Sequence, residues 1–191
     1  MVDYDLKKIK AFVFDVDGVL SPSTIPLGED GYPRRMANVK DGYALQLAVK
    51  KGYKIAIITG GKGEPVYRRF ESLGIDSIFL NATHKLPILK EWMEREGLQP
   101  EEVVYMGDDI PDLPCMRYVG LPCAPYDACH EAIQTARYIS KFTGGYGCGR
   151  DILEQVMKAQ NHWISDHDAF GWSTIYKPLS SDDILIQLKP K

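Results

Sequence analysis

The chain has 191 residues, 45% of them apolar, with 23 Lys+Arg against 26 Asp+Glu for a formal net charge of -3. At roughly 150 residues per domain this is one domain, with a core large enough to need no covalent staples. The charge excludes a general nucleic-acid binder whose affinity rests on excess positive charge, so a phosphorylated ligand would need a local, purpose-built site.

The first residues alternate polar and apolar through Leu6 and Ile9, unlike a secretory leader. A strand is expected over 11–14, running straight into Asp15 and Asp17. Residues 21–40 then predict a short hairpin with a polar turn, built from Thr24-Ile25-Pro26-Leu27, Gly28 to Gly31, and Arg34 to Val39. A helix over 41–50 leads to a strand over 54–59. Its run Ile55-Ala56-Ile57-Ile58 lacks polar alternation, as expected for a strand covered on both faces. In the next helix, 64–73, Pro65 stands near the start, Val66, Phe70 and Leu73 share a face, and Gly74 is the stop. Strands over 77–80, 103–106, 121–124 and 137–140 follow, with helices over 85–96, 127–136 and 150–160. This alternation is that of βαβ units around a parallel sheet, hence an α/β fold. The last stretch, 161–191, carries Trp163, Phe170, Trp172 and Tyr176 without clear periodicity. Cys115, Cys123, Cys129 and Cys148 form no CxxC pair and read as small buried side chains rather than a disulfide or zinc framework. No window approaches the ~18 uncharged apolar residues of a membrane helix, so a soluble cytoplasmic protein is expected.

In open α/β sheets ligands bind at the carboxyl ends of the strands. At those ends stand Asp15-Val16-Asp17-Gly18, then Thr59-Gly60-Gly61, then Lys85, then Gly107-Asp108-Asp109-Ile110-Pro111-Asp112. A carboxylate at Asp15 can attack phosphorus once its repulsion from an anionic phosphate is cancelled. Mg²⁺ can do this through hard oxygen ligands, for which Asp15, Asp108 and the Asp17 backbone carbonyl are suited. Thr59, the N–H groups of Gly60 and Gly61 at a helix N-terminus, and the Lys85 charge can hold phosphoryl oxygens. Asp17 can protonate a leaving alkoxide and then accept a proton from the hydrolytic water. Each element alone also reads as an ordinary cap or turn; four in order at successive strand ends do not.

Together these residues resemble the haloacid dehalogenase superfamily of phosphotransferases, over about residues 10 to 160. The resemblance implies a Rossmann-like three-layer α/β/α core and an Mg²⁺ ion held by Asp15, Asp17 and Asp108. It also implies a nucleophile at Asp15, an acid/base at Asp17, phosphate binding by Thr59, Gly60 and Lys85, and support from Asp109 and Asp112. With only the hairpin at the first insertion point and fewer than 25 residues between Thr59 and Lys85, no cap domain fits. A capless chain is similar to the 3-deoxy-D-manno-octulosonate 8-phosphate phosphatases of lipopolysaccharide sugar biosynthesis, which are homotetramers. Further similarity lies in Asn38-Val39-Lys40-Asp41-Gly42-Tyr43, in Gly144-Gly145-Tyr146-Gly147-Cys148-Gly149-Arg150, and in the tail through Phe170-Gly171-Trp172. It implies a phosphorylated 2-keto sugar acid as substrate and a tail, 161–191, at a subunit interface.

The far carboxylate of such a substrate needs a cation. Arg69 is the candidate, from its own or the adjoining subunit. Arg34 and Arg35 on the hairpin, and Arg150, read more readily as solvated. Gly61 carries no side chain that could read a sugar, which favours the eight-carbon substrate over its nine-carbon homologue. A response-regulator receiver would need an acceptor Asp after the third strand, where Asn81-Ala82-Thr83-His84-Lys85 stands instead. A catalytically inactive oligomeric module is the other alternative.

Overall fold

Strands β1 (Ala11–Phe14), β2 (Lys54–Ile58), β3 (Ser77–Phe79), β4 (Val103–Met106), β5 (Leu121–Ala124) and β6 (Tyr138–Ile139) form one sheet. The computed structural model describes residues 2–163. Every pairing is parallel, in the order β3-β2-β1-β4-β5-β6. Among the described residues five α-helices join them and a sixth follows β6: α1 (Val39–Lys50), α2 (Glu64–Glu71), α3 (Lys85–Glu96), α4 (Leu113–Met116), α5 (His130–Thr135) and α6 (Cys148–Ala159). Side chains of successive strand residues point to opposite faces, so Phe12 and Phe14 join one core and Ala11 and Val13 the other. The first core receives Leu45 of α1, Phe70 of α2 and Ile152 of α6; the second receives Trp92 of α3, Met116 of α4 and Ala132 of α5. These are the three layers of a Rossmann-like fold, with helices on both faces of a buried sheet.

The strand order reverses where β1 meets β4, paired in register from Ala11↔Val103 to Phe14↔Met106. Chains leaving these two neighbours turn to opposite faces, which opens a crevice at their carboxyl ends. Asp15 and Asp108 lie there.

Three expectations are corrected. Helix α1 begins two residues early, because the Asn38 side chain accepts the Lys40 N–H at 2.9 Å and so caps it. The single turn α4 was not expected; four residues are too few for an apolar period to show. Residues 21–40 form no ladder. One antiparallel bridge, Leu27 to Pro33, is flanked by the Gly28 N–H to Tyr32 carbonyl and Arg34 N–H to Pro26 carbonyl bonds, both 2.8 Å. Pro26 and Pro33 have no N–H to extend the pairing. The segment is a flap rather than a hairpin. No helix among the described residues is long and apolar enough to cross a membrane.

Candidate active site

Asp15 follows β1 directly, and its N–H donates to the Met106 carbonyl at 3.1 Å, which ties it to β4. The carboxylate is buried. Its Oδ1 accepts the Val16 N–H at 2.7 Å and its Oδ2 lies 2.9 Å from Lys85 Nζ. Lys85, the first residue of α3, is also buried and pairs at 2.7 Å with Asp112. Burial alone would lower the lysine's pKa, but the carboxylates of Asp112 and Asp15 outweigh it and hold the ammonium above its usual value. Asp112 is saturated. Its Oδ1 takes Lys85 and the Tyr105 hydroxyl, both at 2.7 Å, and its Oδ2 takes the N–H groups of Asp108 and Asp109 at 3.1 and 3.4 Å.

Asp15, Asp108 and Asp112 each offer a ligand atom within 4.8 Å of the others. Burial, then the neighbouring charges, push Asp15 up to about 6 and Asp108 up to about 8. Such strain between carboxylates is what a hard divalent cation relieves, and with Asp112 fully bonded the open donors are Asp15 and Asp108. Gly18, at φ 85, closes the cradle: a Cβ there would run into the Asp108 carboxylate. The glycine run supports this loop from behind. Gly144 packs on the Gly18 carbonyl, and the Gly145 N–H donates to the Val19 carbonyl at 2.7 Å.

Thr59 directly follows β2, buried, and its Oγ1 accepts the Gly61 N–H at 3.0 Å. The hydroxyl proton is thereby left to donate outward. This corrects two expectations. The Gly61 N–H is already bonded, which leaves the Gly60 N–H as the backbone donor, and α2 starts only at Glu64, beyond Gly63, so neither glycine is at a helix N-terminus. Asp109 is exposed and lies outside the carboxylate cluster; it precedes the turn at Ile110–Asp112.

The Asp17 side chain stays out of the cluster and turns to the flap. Arg35 grips it with two bonds, Nε to Oδ1 at 2.6 Å and Nη2 to Oδ2 at 2.7 Å, so Arg35 is not solvated as its sequence suggested. Only Arg34 is, paired with Asp30 at 2.6 Å on the exposed edge. The sequence signal available was Gly61, whose missing Cβ leaves room for the Arg35 guanidinium at 2.7 Å. Arg69 lies against Gly42 and lines a cavity of about 540 Å³ between the flap, α1 and α2. Arg150 is structural: it bonds Glu154 at 3.2 Å and stacks 5.0 Å from the Trp163 ring centre. The tail's Phe170 and Trp172 lie outside the described residues.

A model of haloacid dehalogenase-like hydrolases matches residues 39–125. The chain is 36% identical to the 3-deoxy-D-manno-octulosonate 8-phosphate phosphatase KdsC of Escherichia coli (strain K12) over 154 residues, 81% of this chain and 82% of the relative. Among solved structures, the Moraxella catarrhalis 3-deoxy-D-manno-octulosonate 8-phosphate phosphatase, in complex with magnesium, phosphate and KDO, superposes with a TM-score of 0.80. Its identity is 36%, over 87% of this chain and 93% of that one. The Yersinia pestis enzyme of the same name gives a TM-score of 0.80 at 33% identity, over 83% and 85% of the two chains. With the family model, the sheet order and the identity to these phosphatases in agreement, the chain belongs to the haloacid dehalogenase-like hydrolases, in the family of the 3-deoxy-D-manno-octulosonate 8-phosphate phosphatases.

Proposed function

We propose that this chain is an Mg²⁺-dependent phosphomonoesterase that hydrolyses 3-deoxy-D-manno-octulosonate 8-phosphate through an aspartyl-phosphate intermediate. The observation that carries the reading is the Asp15 carboxylate, buried at the β1/β4 crevice between Lys85 and Asp108, in a chain 36% identical to phosphatases of that substrate.

Asp15, Asp108 and the Asp17 backbone carbonyl would hold an Mg²⁺ ion, which would supply the positive charge that lets one anion approach another. Asp15 attacks phosphorus with the oxygen not engaged by Lys85. The Thr59 hydroxyl, the Gly60 N–H and the Lys85 ammonium hold the phosphoryl oxygens and stabilise the charge that develops on them. Asp17, two residues past the nucleophile and on the other side of the loop, gives its proton to the leaving sugar oxygen. The same carboxylate then takes a proton from the water that attacks the aspartyl phosphate, which regenerates Asp15 and releases phosphate. Tyr105, Asp108 and Asp109 reach Asp112 from three directions, and this fixes the residue that fixes Lys85. Arg69 reads the far end of the substrate from the cavity beside α1. The enzyme works in the cytoplasm as a homotetramer, with the flap at a subunit interface.

The test is Mg²⁺-dependent phosphate release from the eight- and nine-carbon sugar-acid phosphates. Preferred turnover of the eight-carbon substrate, lost by Asp15→Asn, is expected. Preference for the nine-carbon substrate would reassign the enzyme, and no turnover of any phosphoester would leave an inactive oligomeric module.

A further inference from the structure

Arg35 joins the acid/base to the cavity where the sugar would lie. Its side chain is only 13% exposed. Nε and Nη2 occupy both oxygens of Asp17, and Nη1 donates to the Lys62 carbonyl at 3.2 Å. The guanidinium rests above Gly61, and the same residue lines the cavity of about 540 Å³ together with Lys62, Arg69 and Asn38.

This contact conflicts with the chemistry expected of Asp17. A carboxylate that must protonate a leaving oxygen and then receive a proton from water must turn an oxygen to the reacting atoms, and a two-pronged guanidinium pair takes a lone pair on each oxygen and fixes the carboxylate against the flap. Turning that carboxylate to the reacting atoms breaks at least one of the two bonds. No other cation of the site is paired with Asp17: Lys85 is committed to Asp15 and Asp112, Arg34 points to Asp30 at the exposed edge, and Arg69, which lines the same cavity, can share the substrate's carboxylate with Arg35.

We propose that Arg35 is a latch on Asp17 which the carboxylate of the substrate lifts. A guanidinium presents the same planar fork to any carboxylate, so transfer from Asp17 to a sugar-acid carboxylate in the adjoining cavity exchanges one pair of charge-assisted bonds for another. A phosphoester without a carboxylate offers no such exchange, and Asp17 stays capped. In a site with no cap domain, the latch withholds the acid/base from small phosphoesters that reach Asp15. Arg35 thus acts on the chemistry through Asp17 and on specificity through the substrate. The inference rests on the phosphatase reading above.

The test compares wild type, Arg35→Ala and Arg35→Lys on 3-deoxy-D-manno-octulosonate 8-phosphate and on p-nitrophenyl phosphate, both with Mg²⁺. The expected result is opposite in sign for the two substrates. Arg35→Ala loses about tenfold or more in kcat/KM on the sugar-acid phosphate and gains about threefold or more in kcat on the aryl phosphate. Arg35→Lys, which keeps the charge without the fork, shifts both in the same directions by less, and serves alone should the alanine variant fail to fold. Calorimetry with the phosphate-free sugar acid should show binding weakened about tenfold in Arg35→Ala. Parallel losses on both substrates, no change on either, or a loss on the sugar acid with aryl phosphate turnover unchanged would each overturn the latch. A wild type inert toward both phosphoesters defeats the phosphatase reading instead.

Discussion

Asp17 and Asp108 lie within one crevice but carry different work, and the difference is measurable. In the proposed mechanism Asp17 would offer a metal only its backbone carbonyl, its side chain being turned to Arg35, whereas Asp108 would offer its carboxylate. Asp17→Asn should therefore keep Mg²⁺ affinity within a few-fold and lose about 10²- to 10⁴-fold in kcat, while Asp108→Asn should lose the affinity itself. Calorimetry beside steady-state kinetics separates the two, and equal loss of affinity in both variants contradicts this division. The carboxylate cluster also sets a pH dependence. Burial, followed by the charges of Asp112 and Asp15, pushes Asp108 up to about 8, so the metal must displace a proton that Asp108 holds at lower pH. Mg²⁺ affinity should rise between pH 6 and about 8 and then level off, with proton release visible as a buffer-dependent heat of binding. A flat affinity over that range would mean that Asp108 is already ionised at pH 6 and that its pKa is not raised.

Elements fix these side chains by where they begin and end. Asp15, Thr59 and Asp108 stand just beyond β1, β2 and β4, and Lys85 opens α3. One contact ties two helices behind the site: Asp41 in the first turn of α1 accepts the Arg150 N–H of α6 at 2.7 Å, and its other oxygen, Oδ2, is buried without a partner. Burial pushes Asp41 up from 3.8 to about 6, against the lowering effect of Arg150. The folded state holds this proton more tightly than the unfolded chain, so the stability it supplies is complete below about pH 4 and lost as pH rises through about 6. The loss is at most of the order of 2 to 3 kcal/mol. Asp41→Asn should remove that step from the melting temperature plotted against pH. An unchanged profile would mean that Asp41 titrates normally.

For the whole molecule, the flap matters most. Its own backbone is closed by one antiparallel bridge, yet it exposes Leu27, Tyr32 and Met36 and delivers Arg35 to Asp17. Apolar side chains on so sparsely paired a segment fit burial against another subunit. Sedimentation should show a tetramer at working concentrations, and Leu27→Asp with Tyr32→Asp should shift it toward smaller species. A wild-type monomer would remove the proposal.

The sequence by itself determined the fold class and the core of the site. Uninterrupted apolar runs such as Ile55-Ala56-Ile57-Ile58 can be satisfied only between two layers of helices, and chemistry-bearing residues just after such runs must gather on one rim. Asp15, Thr59, Lys85 and Asp108 were legible for that reason. The flap was not: strand signals near Thr24 and Arg34 could not show that Pro26 and Pro33 would leave a single bridge. Nor could a pattern of residues show that Arg35 would be drawn in while Arg34 stayed out, that Asp112 would be saturated, or that a guanidinium would rest on Gly61. Periodicity reports which face of an element is buried, because burial repeats along the chain. Contacts between residues as distant as Asp17 and Arg35 follow no repeat, and only the packed tertiary structure decided them.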